Sequence, residues 1–180
     1  MKLLLHICCA PCLIYPLEKL REKGIEVTGF FYNPNIHPFK EYNNRKQAVI
    51  DFSRTVDLEI IYPEYNPAEF FQAVNLKETN LGRCLLCWSL RLIKTARAAK
   101  DKGFNSFSTT LLVSPYQDQE LLKKIGNDIS RVEGTGFYYE DFRPGFRKAH
   151  NLAKAQGIYC QDYCGCIYSE VERCKKSGKH

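Results

Sequence analysis

Five of the nine cysteines stand in two tight groups, Cys8-Cys9-Ala10-Pro11-Cys12 and Cys84-Leu85-Leu86-Cys87. Cys160, Cys164 and Cys166 form a third, and Cys174 is alone. A cysteine used only for packing behaves as a small hydrophobe and has no reason to cluster. Grouped thiolates bind soft metals or exchange electrons. Cys8 with Cys9 and Cys84 with Cys87 would supply four thiolates, the number taken by a structural zinc or an iron–sulfur cluster. The i, i+3 spacing of Cys84 and Cys87, at what reads as the start of a long helix, puts both sulfurs on one face. It also places them where a helix N-terminus favours thiolate. Zinc knuckles are usually CxxC on both sides. Here one half is CC and the other helical, which tilts the reading towards iron–sulfur. Cys164-Gly165-Cys166 is either a strained, redox-active disulfide or a source of further metal ligands with Cys12 or Cys160. Cys174 reads as a surface thiol. Ser114, Tyr116 and Asp118 read as acids or hydrogen-bond donors beside the metal, and a helix cap explains Asp118 equally well. His6 is expected to satisfy a backbone carbonyl, and His37 lies in a loop whose Asn and Pro residues a turn accounts for.

The totals narrow the class. A length of 180 residues fits one domain, 1–180, large enough to bury a core without disulfide staples. An odd number of cysteines also argues against a secreted disulfide framework. The apolar run Leu3-Leu4-Leu5 is too short for a signal peptide, and no window is long enough to span a membrane. The expectation is a cytoplasmic protein, where grouped thiols mean metal or redox chemistry. Net charge is +6, and residues 143–180 carry eight Lys or Arg against three acids, which places nearly all the excess there. That asymmetry suits a polyanion such as RNA, with Arg143, Arg147, Lys148 and Lys154 as candidate contacts among aromatic residues able to stack on bases. A solvated basic tail fits the same charges.

The elements that must position these residues alternate. Strands are expected at 2–6, 25–32, 58–62 and 104–109, and helices at 13–23, 39–56, 68–74, 84–102, 117–130 and 147–156, with an irregular, aromatic-rich stretch beyond 132. Alternation implies an α/β fold with a parallel, Rossmann-like sheet and an irregular to helical cysteine-rich C-terminal part. In such sheets ligands bind beyond the carboxyl ends of the strands. The first cysteine group and the run Thr109-Thr110-Leu111-Leu112-Val113-Ser114-Pro115 should share that rim.

His6-x-Cys8-Cys9-Ala10-Pro11-Cys12, Tyr32-Asn33-Pro34-Asn35-Ile36-His37-Pro38, Cys84-x-x-Cys87, Thr109 to Tyr116 and Tyr163-Cys164-Gly165-Cys166 together resemble the epoxyqueuosine reductases of the QueH type, over nearly the whole chain. The resemblance implies a fold similar to the adenine nucleotide alpha hydrolase-like (HUP) group. That group places a Gly/Ser phosphate loop after its first strand; CCAPC stands there instead, and no Walker-type loop occurs elsewhere. It also implies reduction of epoxyqueuosine in a tRNA anticodon loop to queuosine, the last step of queuosine biosynthesis, with electrons from an external donor. A 4Fe–4S cluster on Cys8, Cys9, Cys84 and Cys87 is implied, with a further iron nearby. Cys164 and Cys166 would be a redox pair or ligands of that iron, with Cys12 assisting. Two rival readings are an iron–sulfur-dependent tRNA sulfur transferase, which the missing phosphate loop argues against, and a non-enzymatic zinc-stabilised RNA-binding module.

Overall fold

The computed structural model describes residues 1–176 and 178, the Asn80 side chain excepted, so Lys179 of the basic segment lies outside the described residues. Leu3, Leu4 and Leu5 are wholly buried, so β1 (Lys2–His6) is a continuous apolar run, as a strand covered on both faces must be. It pairs in parallel with β2 (Glu26–Phe30) and β4 (Ser106–Thr109). With β3 (Ile60–Ile61) and β5 (Gly136–Phe137) outermost, the sheet runs β3-β2-β1-β4-β5, all parallel. The chain thus grows outward from β1 in one direction and later in the other. The carboxyl ends of β1 and β4 form the switch point where ligands of such sheets bind, and His6 sits opposite Thr109 there.

Among the described residues, seven α-helices surround the sheet: α1 (Ala10–Glu22), α2 (Phe39–Thr55), α3 (Pro67–Val74), α4 (Asn80–Asp101), α5 (Gln119–Glu133), α6 (Phe146–Ala155) and α7 (Ile167–Lys176). Among the packed pairs, α1 lies on α2 and α6, while α4 lies on α3, α5, β1 and β4. None of the described helices is long and apolar enough to cross a membrane.

The α/β, parallel-sheet reading holds, but several boundaries move. Helix α1 begins at Ala10 rather than residue 13, which brings Cys12 into its first turn and leaves Pro16 in the helix interior. Without an N–H, Pro16 cannot bond the Cys12 carbonyl four residues back. Helix α4 begins at Asn80, so Cys84 and Cys87 sit a turn inside it and not at its N-terminus. Strands β2 and β3 are shorter than expected, and β5 and α7 were not anticipated.

Gly126, within α5, packs against the Phe137 ring of β5, and a Cβ built there would lie 2.3 Å from that ring. In an open helix Gly→Ala stabilises by up to about 1 kcal/mol. Here overpacking of ~1–3 kcal/mol opposes that gain. Gly126→Ala is expected to lower the thermal midpoint by a few degrees; a raised midpoint in calorimetry would contradict this packing.

Candidate metal centre

Past β1 the chain stays extended at Cys9 (φ −168°, ψ 164°), which is the N-cap of α1. The chain bends at Cys8 just before the extended Cys9, which lets the adjacent cysteines face the same space, an arrangement that a regular strand would forbid. Cys8 and Cys9 sulfurs are 3.7 Å apart, and the Cys12 sulfur joins them from the first helical turn, all three within 4.8 Å of one another. That turn contains no acidic residue, so its amide ends favour negative charge on the sulfurs. From the 3₁₀ turn Thr110–Val113 after β4, the Thr110 hydroxyl accepts from the Cys8 amide (3.1 Å) and donates to the Cys8 sulfur (3.3 Å). Gln161 Nε2 donates to the Cys9 sulfur at 2.9 Å.

These contacts split the three thiols. Hydrogen bonds from Cys12, Cys9 and Thr110 pull the Cys8 thiol well below its usual range. Burial raises Cys9, and hydrogen bonding to Cys8 raises Cys12. Negative charge is thus favoured on Cys8 over its two neighbours, and a bound cation would favour charge on all three. His6, fully buried, is driven down to about 3, mainly by burial and next by the Arg91 charge. Its Nε2 lies 3.2 Å from the Tyr32 carbonyl, which can only accept, so Nε2 carries the hydrogen. Nδ1 then accepts from the Thr109 hydroxyl at 2.9 Å. The histidine is a neutral pin between β1, β2 and β4, as expected.

Cys84 and Cys87 are not among the three sulfurs that lie within 4.8 Å of one another. The expected helix-terminal activation is corrected by the structure. One turn inside α4, burial raises the Cys84 thiol despite the nearby Arg83 charge, and pushes Cys87 up to about 12 against Arg91. Their neighbours are Cys164 and Cys166, and Cys87 packs with Cys166 against Phe70 and Val74. Cys166 precedes α7, and its sulfur accepts from the Ser169 amide at 3.4 Å. No disulfide joins any of the nine cysteines, so Cys164 and Cys166 are not paired here.

The cysteine-rich segment is held by α2 and the 32–38 loop. Arg45, 2 % exposed, bonds Glu41 at 2.7 Å and donates to the carbonyls of Tyr163 (3.0 Å) and Cys164 (2.9 Å). The His37 amide donates to the Gly165 carbonyl at 2.8 Å, and the Tyr163 hydroxyl donates to the His37 carbonyl. Gly165 has φ +141°, and a Cβ there would meet Asn35, Ile36 and Arg45 within 3.1–3.3 Å. Only glycine can carry the chain between the two cysteines here.

Two adjoining cavities result. One, of about 360 Å³, is lined by Cys8, Cys12, Thr110, His150 and Gln161; the other, of about 570 Å³, by Asn35, Cys84, Cys87, Trp88 and Cys166. Arg91 and Cys164 line both. Arg91 is 1 % exposed. Its Nε donates to the Cys87 carbonyl (3.2 Å), while Nη2 has no protein partner. A buried guanidinium with a spare donor between two thiol groups is poised for anionic sulfur or oxygen.

The remaining candidates are placed as follows. Asp118 caps α5 through the Leu121 amide (3.0 Å) and also rims the second cavity. Cys160 donates to the Ile158 carbonyl (3.4 Å) and lines neither cavity; Cys174 is exposed. Of the basic residues, Arg143 is doubly bonded to Asp141 and Lys148 to Glu18. Arg147 and Lys154 are exposed and have no ion-pair partner among the described residues. The residues missed from sequence are Arg45, Arg91 and Gln161; Thr110 lies in the run expected at this rim, without its hydrogen bonds to Cys8 having been foreseen. Arg91 alone had a local signal, lying four residues beyond Cys87 on the same helical face.

Known proteins fall in line with this geometry. A solved structure described as a predicted subunit of tRNA methyltransferase from Methanocaldococcus jannaschii shares the fold at a TM-score of 0.58 and 8% identity, over 86% of this chain and 74% of that one. A protein of Dehalococcoides mccartyi named epoxyqueuosine reductase QueH is 38% identical over 173 residues, 96% of this chain and 94% of the relative. One of the same name from Thermotoga maritima is 39% identical over 181 residues, 96% and 92% of the two chains. The family model for epoxyqueuosine reductase QueH matches residues 3–172, from β1 through the thiol groups into α7. With matches of that extent, the chain belongs to the epoxyqueuosine reductase QueH family.

Proposed function

We propose that this protein reduces epoxyqueuosine to queuosine in the anticodon loop of tRNA, at an iron–sulfur centre held by the thiols of the two cavities. The observation that carries this reading is the convergence of Cys8, Cys9 and Cys12 at the β1/β4 switch point in a chain of this family. The donor set fits such a group, because three clustered sulfurs suit soft metals and iron–sulfur clusters better than hard cations. Cys8, Cys9 and Cys12 form the preformed part of the set. Cys84, Cys87, Cys164 and Cys166 supply the remaining ligands of a 4Fe–4S cluster and a further iron.

Removing the epoxide oxygen to leave an alkene takes two electrons and two protons and releases water, so an external electron donor is required. When bound, the iron–sulfur centre supplies electrons singly and a Lewis-acid position for the epoxide oxygen. The protein's own groups do the rest. Thr110 and Gln161 orient the Cys8 and Cys9 sulfurs, and the free Nη2 of Arg91 offers a charged donor to the oxygen as negative charge grows on it. The buried walls, Trp88 and Phe70 among them, limit water. A tRNA substrate supports a cytoplasmic setting for the reaction.

The test is anaerobic incubation of the reconstituted chain with epoxyqueuosine-containing tRNA and a low-potential reductant, then nucleoside mass analysis. Conversion of epoxyqueuosine to queuosine, one oxygen atom lighter, is expected. Unchanged epoxyqueuosine with a fully metal-loaded protein would refute the reading.

A further inference from the structure

Tyr116 is 82% exposed, although it follows β4 at the functional rim and lines both cavities. It is fixed rather than loose. Its amide donates to the Ser114 hydroxyl (3.2 Å), and Gln119 Nε2 holds the Ser114 carbonyl (3.2 Å). Its ring meets Phe146 of α6 edge to face (centroids 5.8 Å apart, 86°), and Phe146 in turn contacts His150 at 4.4 Å. A supported aromatic ring left open to solvent at the mouth of a cavity is a stacking surface. Its surroundings carry positive charge. Arg173 and Lys176 of α7 line the same cavity and are exposed, and unpaired Arg147 lies next to Phe146 in the chain.

We propose that Tyr116 is a stacking platform for a nucleobase of the single-stranded loop, holding the RNA so that the modified base enters the cavity beside it. This rests on the RNA-loop substrate proposed above and names the residue that grips it. Bases in unpaired loops are commonly held on aromatic faces, and the contact tolerates loss of a hydroxyl but not of the ring. A proton-donating tyrosine would lose function equally on losing the hydroxyl or the whole ring.

The experiment uses the anaerobically reconstituted full chain. Binding of a fluorescent anticodon stem–loop RNA is followed by anisotropy, and KM and kcat are measured on epoxyqueuosine tRNA. Tyr116→Ala is expected to weaken stem–loop binding and raise KM by roughly 5- to 150-fold, the range of one lost stack, with a much smaller change in kcat. Tyr116→Phe is expected to restore both. Wild-type affinity in Tyr116→Ala, or equal loss in Tyr116→Phe, would overturn the platform. So would wild-type protein that fails to bind the stem–loop. A wild-type protein that binds the loop through the Tyr116 ring yet reduces no epoxyqueuosine would support the platform and sink the reductase reading alone. The two failures are therefore distinguishable.

Discussion

Cys8→Ser should strip the protein of its metal centre while leaving the fold intact, because the change removes one thiolate and little volume. Four-thiolate structural sites bind their metal with ~10–16 kcal/mol, or ~3–4 kcal/mol per sulfur. Losing the most acidic sulfur of the group should therefore weaken metal affinity by about 10²- to 10³-fold. Reductase activity should fall with it, and Cys174→Ser should change neither. The protonation pattern adds a pH signature. Cys8 is held towards thiolate, while Cys9 and Cys12 are raised and keep their protons near neutrality. Binding must displace those two protons. Apparent affinity for a metal taken by all three sulfurs should then rise with pH, by about a hundredfold per unit near neutrality. A competition titration against a chelator at several pH values reads this directly. Metal affinity independent of pH would remove Cys9 and Cys12 from the centre, and Cys8→Ser protein with full metal and activity would remove Cys8.

The second large effect concerns Arg45, which holds the Cys164 and Tyr163 carbonyls and neutralises Glu41. Arg45→Met should destabilise the protein by ~3–5 kcal/mol, because Glu41 is left buried without its counter-charge. In a chain of this size that lowers the thermal midpoint by roughly 6–20 °C. The double variant Glu41→Leu/Arg45→Met removes the orphaned charge and should recover much of the stability. It cannot restore the grip on the Cys164 carbonyl, so alkylation of Cys164 should stay faster than in the wild type. Alkylation at the wild-type rate in the double variant would show that Arg45 does not hold this segment.

The sequence made the sheet legible because β1 is a short apolar run and the strands alternate with strongly patterned helices. The rim was legible for the same reason: a cysteine group after one strand and a threonine pair after another must meet if the two strands are neighbours. What escaped was decided by tertiary contact. Helix α1 reaches back to Ala10, three residues before its expected start, which leaves Pro16 in its interior. Helix α4 starts four residues early, which moves Cys84 and Cys87 from an activating terminus to a buried wall. Helix α7 has no fully buried residue, so no apolar stripe announced it. It is tied down by the Arg83–Glu172 pair (2.8 Å) and the Arg83–Tyr168 ring contact. Arg45 finds its partners 118 and 119 residues away, a distance at which no local spacing helps. The Cys8, Cys9 and Cys12 motif was visible as a group, but its spacing did not show that Cys12 joins the other two sulfurs from the first helical turn, nor that Cys87 packs with Cys166.

The most direct measurement is the iron and acid-labile sulfide content of the full chain reconstituted without oxygen, with its visible spectrum, beside Cys8→Ser protein treated identically. Iron and sulfide together, with sulfur-to-iron charge-transfer absorption that the serine variant lacks, is the result expected of a reductase working at this thiol cluster. Zinc alone, or no metal at all, in protein that still converts epoxyqueuosine would contradict it.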